Sequence, residues 1–431
     1  MKSQQMKKKL AGGRKYFFLI IFTIIILVSN KLFPSQIFDY QTDKFIEKIN
    51  KQILSVNNYD KKLHNIIIND KFPNAFVTED LIIYISSGLI SYSPDYVSFL
   101  GVLAHEIGHL ENYHIAKRKK QITNLQNINS YGNLAALLGS MIMQDPNLIN
   151  AIIVNQTSVN NIYLNFSQEQ EIQADLYAIN TINKLQLPTN SIKEFLLILE
   201  DKTKFDLIDK ELRKFSTHPL FEKRYEIIDN NEIKLMDNYD ELYEKEFNFI
   251  KAKFMAYTDN GFIEQLEGDY KIYYDSIQYS KLGNLKESLK KINLLIQKYS
   301  NNIFLLETKG DILLSYGYDK EAIKFYNKVL NKQPDNNYVK YNIFTKLNFK
   351  KNNYKLNQKL FLENLRLIYL FPNNQVLITK FYNLSKILKY KEWIVFFEIL
   401  IFKNKNFRKN LIELKKETKD NNLKKMINLY T

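Results

Sequence analysis

Cysteine is absent from the 431 residues. That excludes disulfides, thiolate nucleophiles, thiolate-ligated zinc and lipid-modified cysteine, and it leaves the redox compartment unspecified. Twelve glycines and eight prolines are too few for a collagen-like or proline-rich chain. Acidic residues are outnumbered, with 46 Asp and Glu against 61 Lys and Arg and a formal charge of +15. Such an excess invites a nucleic-acid reading, because Lys and Arg neutralise phosphates. The basic residues spread along the chain in short runs such as 7–9 and 117–120, so a solvated basic surface and no nucleic-acid partner are expected. What is present is ordinary globular composition, 45% hydrophobic and 25% charged, which wholesale disorder does not have. At ~150 residues per domain the length suggests two or three units.

Long apolar runs are scarce too. Six basic residues between Lys2 and Lys15 precede an uncharged, mostly apolar stretch from Tyr16 to Val28. A basic start followed by a short apolar run is the layout of a secretory signal. A spanning helix wants about 20 residues, so residues 1–30 read as a signal peptide, with an uncleaved membrane anchor as the alternative because Leu27–Lys31 makes a poor cleavage site. The bulk of the chain is expected outside the cytoplasmic membrane.

Residues 36–65 read as helix, since Phe45, Ile46, Ile49, Ile53 and Leu54 recur at helical spacing. The segments 76–78 and 81–85 are rich in β-branched and aromatic residues and read as short strands ending near Ser87-Gly88. Helices are predicted at about 95–120, 130–160, 167–184 and 190–202. Beyond residue 268 the grammar changes. Gly283 and Gly317 lie 34 residues apart, and Gly310, Ala322, Tyr326 and Pro334 fall where a tetratricopeptide repeat places small, small, aromatic and proline residues. Ser276 and Ser288 take the small positions of the preceding unit, and Pro372 marks a looser third one. The predicted organisation is α+β and mostly helical: 36–230 a catalytic domain, 231–268 a helical linker, 269–431 tetratricopeptide-like helical repeats forming an α-solenoid.

His105-Glu106-Ile107-Gly108-His109 follows an apolar helical stretch, so the two imidazoles share one face and can hold a single Zn²⁺. Glu106 is turned about 100° around the axis and can reach a water on the ion as a general base. The extended motif with a third histidine needs Gly at 112 and His at 115, whereas Asn112 and Ile115 stand there. His114, about 140° off the ligand face, reads as structural or exposed. The third ligand is then a carboxylate on another helix. Ser167 and Gln170 form a capping box that starts such a helix. Glu171 and Asp175 share its face, one to ligate metal and the other to accept from a ligand imidazole. Ala174 keeps that face small enough for close helix approach.

These motifs, with Asn74-Ala75-Phe76, Gly88-Leu89 and Ser216-Thr217-His218-Pro219 followed by Arg224, resemble the zinc metallopeptidases that include the CAAX prenyl protease, HtpX-like and Oma-type enzymes. The resemblance covers roughly 40–230. A secretion signal and C-terminal repeats are similar to its envelope branch, which degrades stalled outer-membrane proteins and aids their assembly. The resemblance implies a zincin-like (gluzincin) fold and one Zn²⁺ per chain on His105, His109 and Glu171. Glu106 would be catalytic, His218 would act near the metal on the oxyanion or as a removable ligand, and Asp175 and Arg224 would support. It also implies a periplasmic location, unfolded or misassembled protein substrates, and contact with outer-membrane assembly machinery through the repeats. Substrate is expected to pair with the strand Ile82, Ile83, Tyr84, Ile85 and Ser86 by strand addition. The apolar 134–143 segment, with Met141 and Met143, reads equally as a plug over the cleft or as an ordinary packed helix. The rival is a repeat-based scaffold whose proteolysis is latent or secondary. An intramembrane enzyme is excluded because the spanning helices it would need are missing.

Overall fold

The computed structural model describes residues 36–115, 167–205, 222–231 and 239–431. The expected leader, the 134–160 segment and His218 lie outside them. Among the described residues no helix is long and apolar enough to cross a membrane. The chain is α+β and mostly helical, with one four-stranded sheet, and it divides into two compact units. The first runs to Tyr270, and the second begins at Lys271 and also takes in residues 39–41.

In the first unit, β1 (Gln36–Ile37) is followed by α1 (Tyr40–Val56), β2 (His64–Ile68), β3 (Ala75–Val77) and β4 (Ile82–Ser86). Helices α2 (Ser87–Tyr92), α3 (Tyr96–Glu111), α4 (Gln168–Leu185), α5 (Asn190–Phe205), α6 (Glu222–Asn230) and α7 (Glu241–Thr258) follow among the described residues. The helix predicted over 36–65 therefore ends at Val56, and its flanks are strands. Helical spacing of apolar residues stops at Leu54, and Ile66, Ile67 and Ile68 are β-branched residues that suit a strand.

The sheet order is β1-β2-β4-β3, with β2 parallel to β4 and the other pairs antiparallel. Placing β4 in the centre corrects the expectation that substrate pairs with Ile82, Ile83, Tyr84, Ile85 and Ser86. Both backbone edges of that strand are taken, by β2 and by β3. Among the described residues, the edge strand on this side of the sheet is β3. Asn74 O accepts from Ser86 N and Thr78 N donates to Ile82 O. By antiparallel alternation, the backbone groups of Ala75 and Val77 then face away from β4.

Helix α3 is buried along nearly its whole length and forms the middle of the core. Leu100, Leu103, Ala104 and Ile107 meet Phe45, Ile46 and Ile49 of α1, Ile83 and Ile85 of β4, and Ile179 and Ile182 of α4 in one apolar cluster. Its start is fixed by a capping box, with Asp95 accepting from Ser98 N at 2.7 Å. The far carboxylate oxygen of Asp95 accepts from Ser191 Oγ on α5 at 2.7 Å. Helix α4 begins where the Ser167–Gln170 pair predicts, with both reciprocal capping bonds formed.

The second unit consists of antiparallel helices. The pairs α8 (Gly268–Lys281) with α9 (Leu285–Lys298) and α10 (Ile303–Ser315) with α11 (Asp319–Lys332) turn at Gly283 and Gly317, whose φ values of 83° and 79° require glycine. After α12 (Asn337–Lys346), α13 (Tyr354–Asn364) and α14 (Arg366–Leu370) come α15 (Gln375–Leu388), α16 (Lys391–Phe402), α17 (Phe407–Glu417) and α18 (Asn421–Ile427). Phe361, Phe381, Trp393, Phe396 and Phe397 lie in a core of their own. The Trp393 indole N–H donates to Asp420 at 2.8 Å.

Candidate metal centre

One turn of α3 separates His105 from His109, and both are buried with Glu106 between them. Helix α4 crosses at the same level and inserts Glu171, also fully buried. That approach depends on Gly108. A Cβ there would sit 3.0 Å from Tyr177 Cβ and 3.2 Å from Ala174 Cα, so only glycine admits α4 so close.

The three donors converge. His105 Nε2 lies 3.1 Å from His109 Nε2, 3.4 Å from Glu171 Oε2, and His109 Nε2 is 3.5 Å from Glu171 Oε1. Four ligands arranged tetrahedrally at ~2.1 Å around one zinc ion are separated by ~3.4 Å. The donor set therefore fits Zn²⁺ in both chemistry and spacing. Charge fits as well: Glu106, Glu171 and Asp175 face one guanidinium, Arg224, all of them buried, and a divalent ion balances the remainder.

Supporting side chains decide which ring nitrogens face the ion. His105 Nδ1 is 2.8 Å from Asp175 Oδ1 and donates to it, which turns the Nε2 lone pair inward. Arg224 on α6 grips Asp175 with two bonds, Nε to Oδ2 and Nη2 to Oδ1, each 2.7 Å. Its Nη1 also lies 3.4 Å from Glu171 Oε2. Burial pushes the Asp175 carboxyl up, but the Arg224 charge and the His105 ring together hold it below the usual carboxylate range. Burial likewise works against His105 and Arg224, but Asp175 together with Glu171 outweighs it at both, raising each. Glu106 adds to the field that keeps Arg224 charged.

His109 is fixed by a residue that sequence reasoning set aside. His114 is buried, with Nδ1 3.0 Å from His109 Nδ1 and Nε2 2.8 Å from Gln173 Oε1. The helical-wheel placement of His114 fails because α3 ends at Glu111. Asn112 caps it and Tyr113 takes a left-handed φ of 57°, which swings the next ring back under the site. Since His109 Nε2 faces the other donors, its Nδ1 carries the proton and His114 accepts it. His114 Nε2–H then donates to Gln173. The usable signal was the end of the helix, written in Asn112.

The structure thus brings His105, Glu106, His109, Glu171, Asp175 and Arg224 together.

Residues 40–232 match the model of peptidase family M48. Among curated proteins, the chain is similar to the beta-barrel assembly-enhancing protease of Yersinia pestis, 22% identical over 323 residues, 71% of this chain and 65% of that one. It is 22% identical over 294 residues to the protein of that name from Escherichia coli (strain K12), 65% of this chain and 60% of the relative. A putative one from Vibrio cholerae is 26% identical over 192 residues, 44% of this chain and 38% of the relative. In each match the chain spans less than two thirds of the relative.

Proposed function

From the match of residues 40–232 to peptidase family M48 and the geometry of the three donors, we propose that this chain is a zinc-dependent endopeptidase. In this reading it hydrolyses misfolded or stalled envelope proteins in the periplasm, with Zn²⁺ held by His105, His109 and Glu171. The observation that carries the reading is the spacing of those three donors at 3.1–3.5 Å. Bound there, Zn²⁺ lowers the pKa of a coordinated water toward ~7 and polarises the scissile carbonyl.

The chain's own residues supply the rest. Glu106 takes the proton from the attacking water and returns it to the leaving nitrogen, which peptide hydrolysis requires. Asp175, held by Arg224, and His114, held by Gln173, keep both imidazoles aimed through Nε2. His218 stabilises the oxyanion or acts as a removable ligand, as the resemblance implies. An unfolded substrate pairs with the outward backbone groups of Ala75 and Val77 on β3, which reads main chain and tolerates many sequences. Residues 269–431, read as tetratricopeptide-like repeats, dock substrates or the outer-membrane assembly machinery.

The test is Glu106→Gln, which should keep zinc by elemental analysis and stop cleavage of casein. Undiminished cleavage would remove Glu106 from its role. His109→Ala should lose the metal. A scaffold in which proteolysis is secondary is the alternative, favoured by the separate core of the second unit. Removing residues 269–431 should then abolish partner capture while peptide cleavage persists.

A further inference from the structure

Charge is segregated along this chain. Residues 36–270 hold 23 Lys and Arg against 33 Asp and Glu, a net of −10. Residues 271–431 hold 31 against 13, a net of +18. A compositional habit of the whole sequence would give both segments one sign, so the even basic surface expected from the sequence does not hold.

Within the basic segment, no acidic residue occurs between Glu363 and Glu392 or between Glu398 and Glu413. The fold brings turns from these two stretches together. Lys403 Nζ donates to Asn373 Oδ1 at 3.5 Å. Around this junction Lys403, Lys405 and Arg408 are exposed. Beside them Phe402 is 72% exposed at the end of α16, and Val376 is 55% exposed in the first turn of α15.

We propose that this junction docks on an anionic lipid bilayer, with Lys403, Lys405 and Arg408 on the headgroups and Phe402 entering the interface. Each lysine or arginine near an anionic surface is attracted by about 1 kcal/mol, and an adjacent apolar side chain adds burial at the acyl boundary. Nucleic acid also matches the charge, and Phe402 and Arg408 present planes on which bases stack, but it offers the exposed aliphatic Val376 no apolar medium. The bilayer satisfies both features of the patch.

The test places a local probe in the full chain. F402W should show a blue-shifted emission with vesicles of 30% phosphatidylglycerol in phosphatidylcholine, and no shift with phosphatidylcholine alone. Trp393 is buried and supplies a constant background. Combining F402W with K403E, K405E and R408E should weaken the response by at least ~100-fold, since losing the three attractions alone removes about 1 kcal/mol each and the new carboxylates add repulsion. Reversing three basic residues elsewhere in the unit, Lys290, Lys320 and Lys328, should weaken it far less. Three results overturn the proposal: flotation on anionic vesicles with no shift of the introduced indole, equal loss in both charge-reversal variants, or a larger shift with single-stranded oligonucleotide than with vesicles. Basal peptide cleavage is untouched by any of these substitutions, so failure here is separable from failure of the protease reading.

Discussion

His114 serves His109 as an acceptor, and that role can be separated from its bulk. His114→Phe keeps the ring and removes the lone pair, so zinc affinity should fall about 10- to 100-fold in a chelator competition. His114→Asn places an acceptor near the Nδ1 position and should recover most of the loss, which a purely steric role would not allow. Arg224 is the corresponding support for Asp175. Arg224→Met leaves two buried carboxylates without their cation and should destabilise the domain by about 3–5 kcal/mol, read from thermal or denaturant unfolding. The pH dependence follows from the depressed Asp175 pKa. A carboxylate lowered in the folded state adds stability above its unfolded value of ~3.9, and that stability is lost as pH falls through the lower folded value. Acid unfolding followed by circular dichroism should therefore steepen below about pH 4, and Arg224→Met should blunt that step.

At the scale of elements, the contact between α3 and α4 is what assembles the donors. Gly108→Ala must push Tyr177 and Ala174 back by a few tenths of an ångström, at a cost of about 1–3 kcal/mol. Because Glu171 rides on the displaced helix, zinc affinity should drop with it, measurable in the same competition. Much of this assembly was legible in local sequence. The two histidines at one-turn spacing gave α3 its face, and Ser167 with Gln170 gave α4 its first residue. Less was legible where partners are distant in sequence. The parallel pairing of β2 with β4 leaves no mark within either strand, so the central position of β4, and with it the loss of Ile82–Ser86 as a pairing edge, came only with the topology. Of the two readings of His114, the structural one holds and the exposed one fails for a related reason, because a helical wheel extended past Asn112 describes a helix that has already stopped.

For the molecule as a whole, the division near residue 270 separates the apolar cluster around α3 from those of the helical second unit, and it separates two charge signs. Raising salt from 50 to 500 mM should leave cleavage of a short neutral peptide nearly unchanged, since the metal centre is buried and weakly screened. The same change should strongly weaken attachment to anionic vesicles, which flotation measures. The 34-residue spacing of Gly283 and Gly317 was legible because a left-handed turn has few residue choices. The segregation of charge was missed because counting basic residues alone hides where acidic ones are missing.

The carboxylates around Arg224 give metal loading a meaning beyond chemistry. A copy that has not met zinc keeps Glu106, Glu171 and Asp175 crowded around a single guanidinium in its interior, and it should melt lower than the filled copy, which gains the binding free energy of the ion. Competence and durability would then arrive in a single event. In a compartment starved of zinc, the empty chains would be the first to be cleared, so the cell would hold few copies that persist without being able to cut.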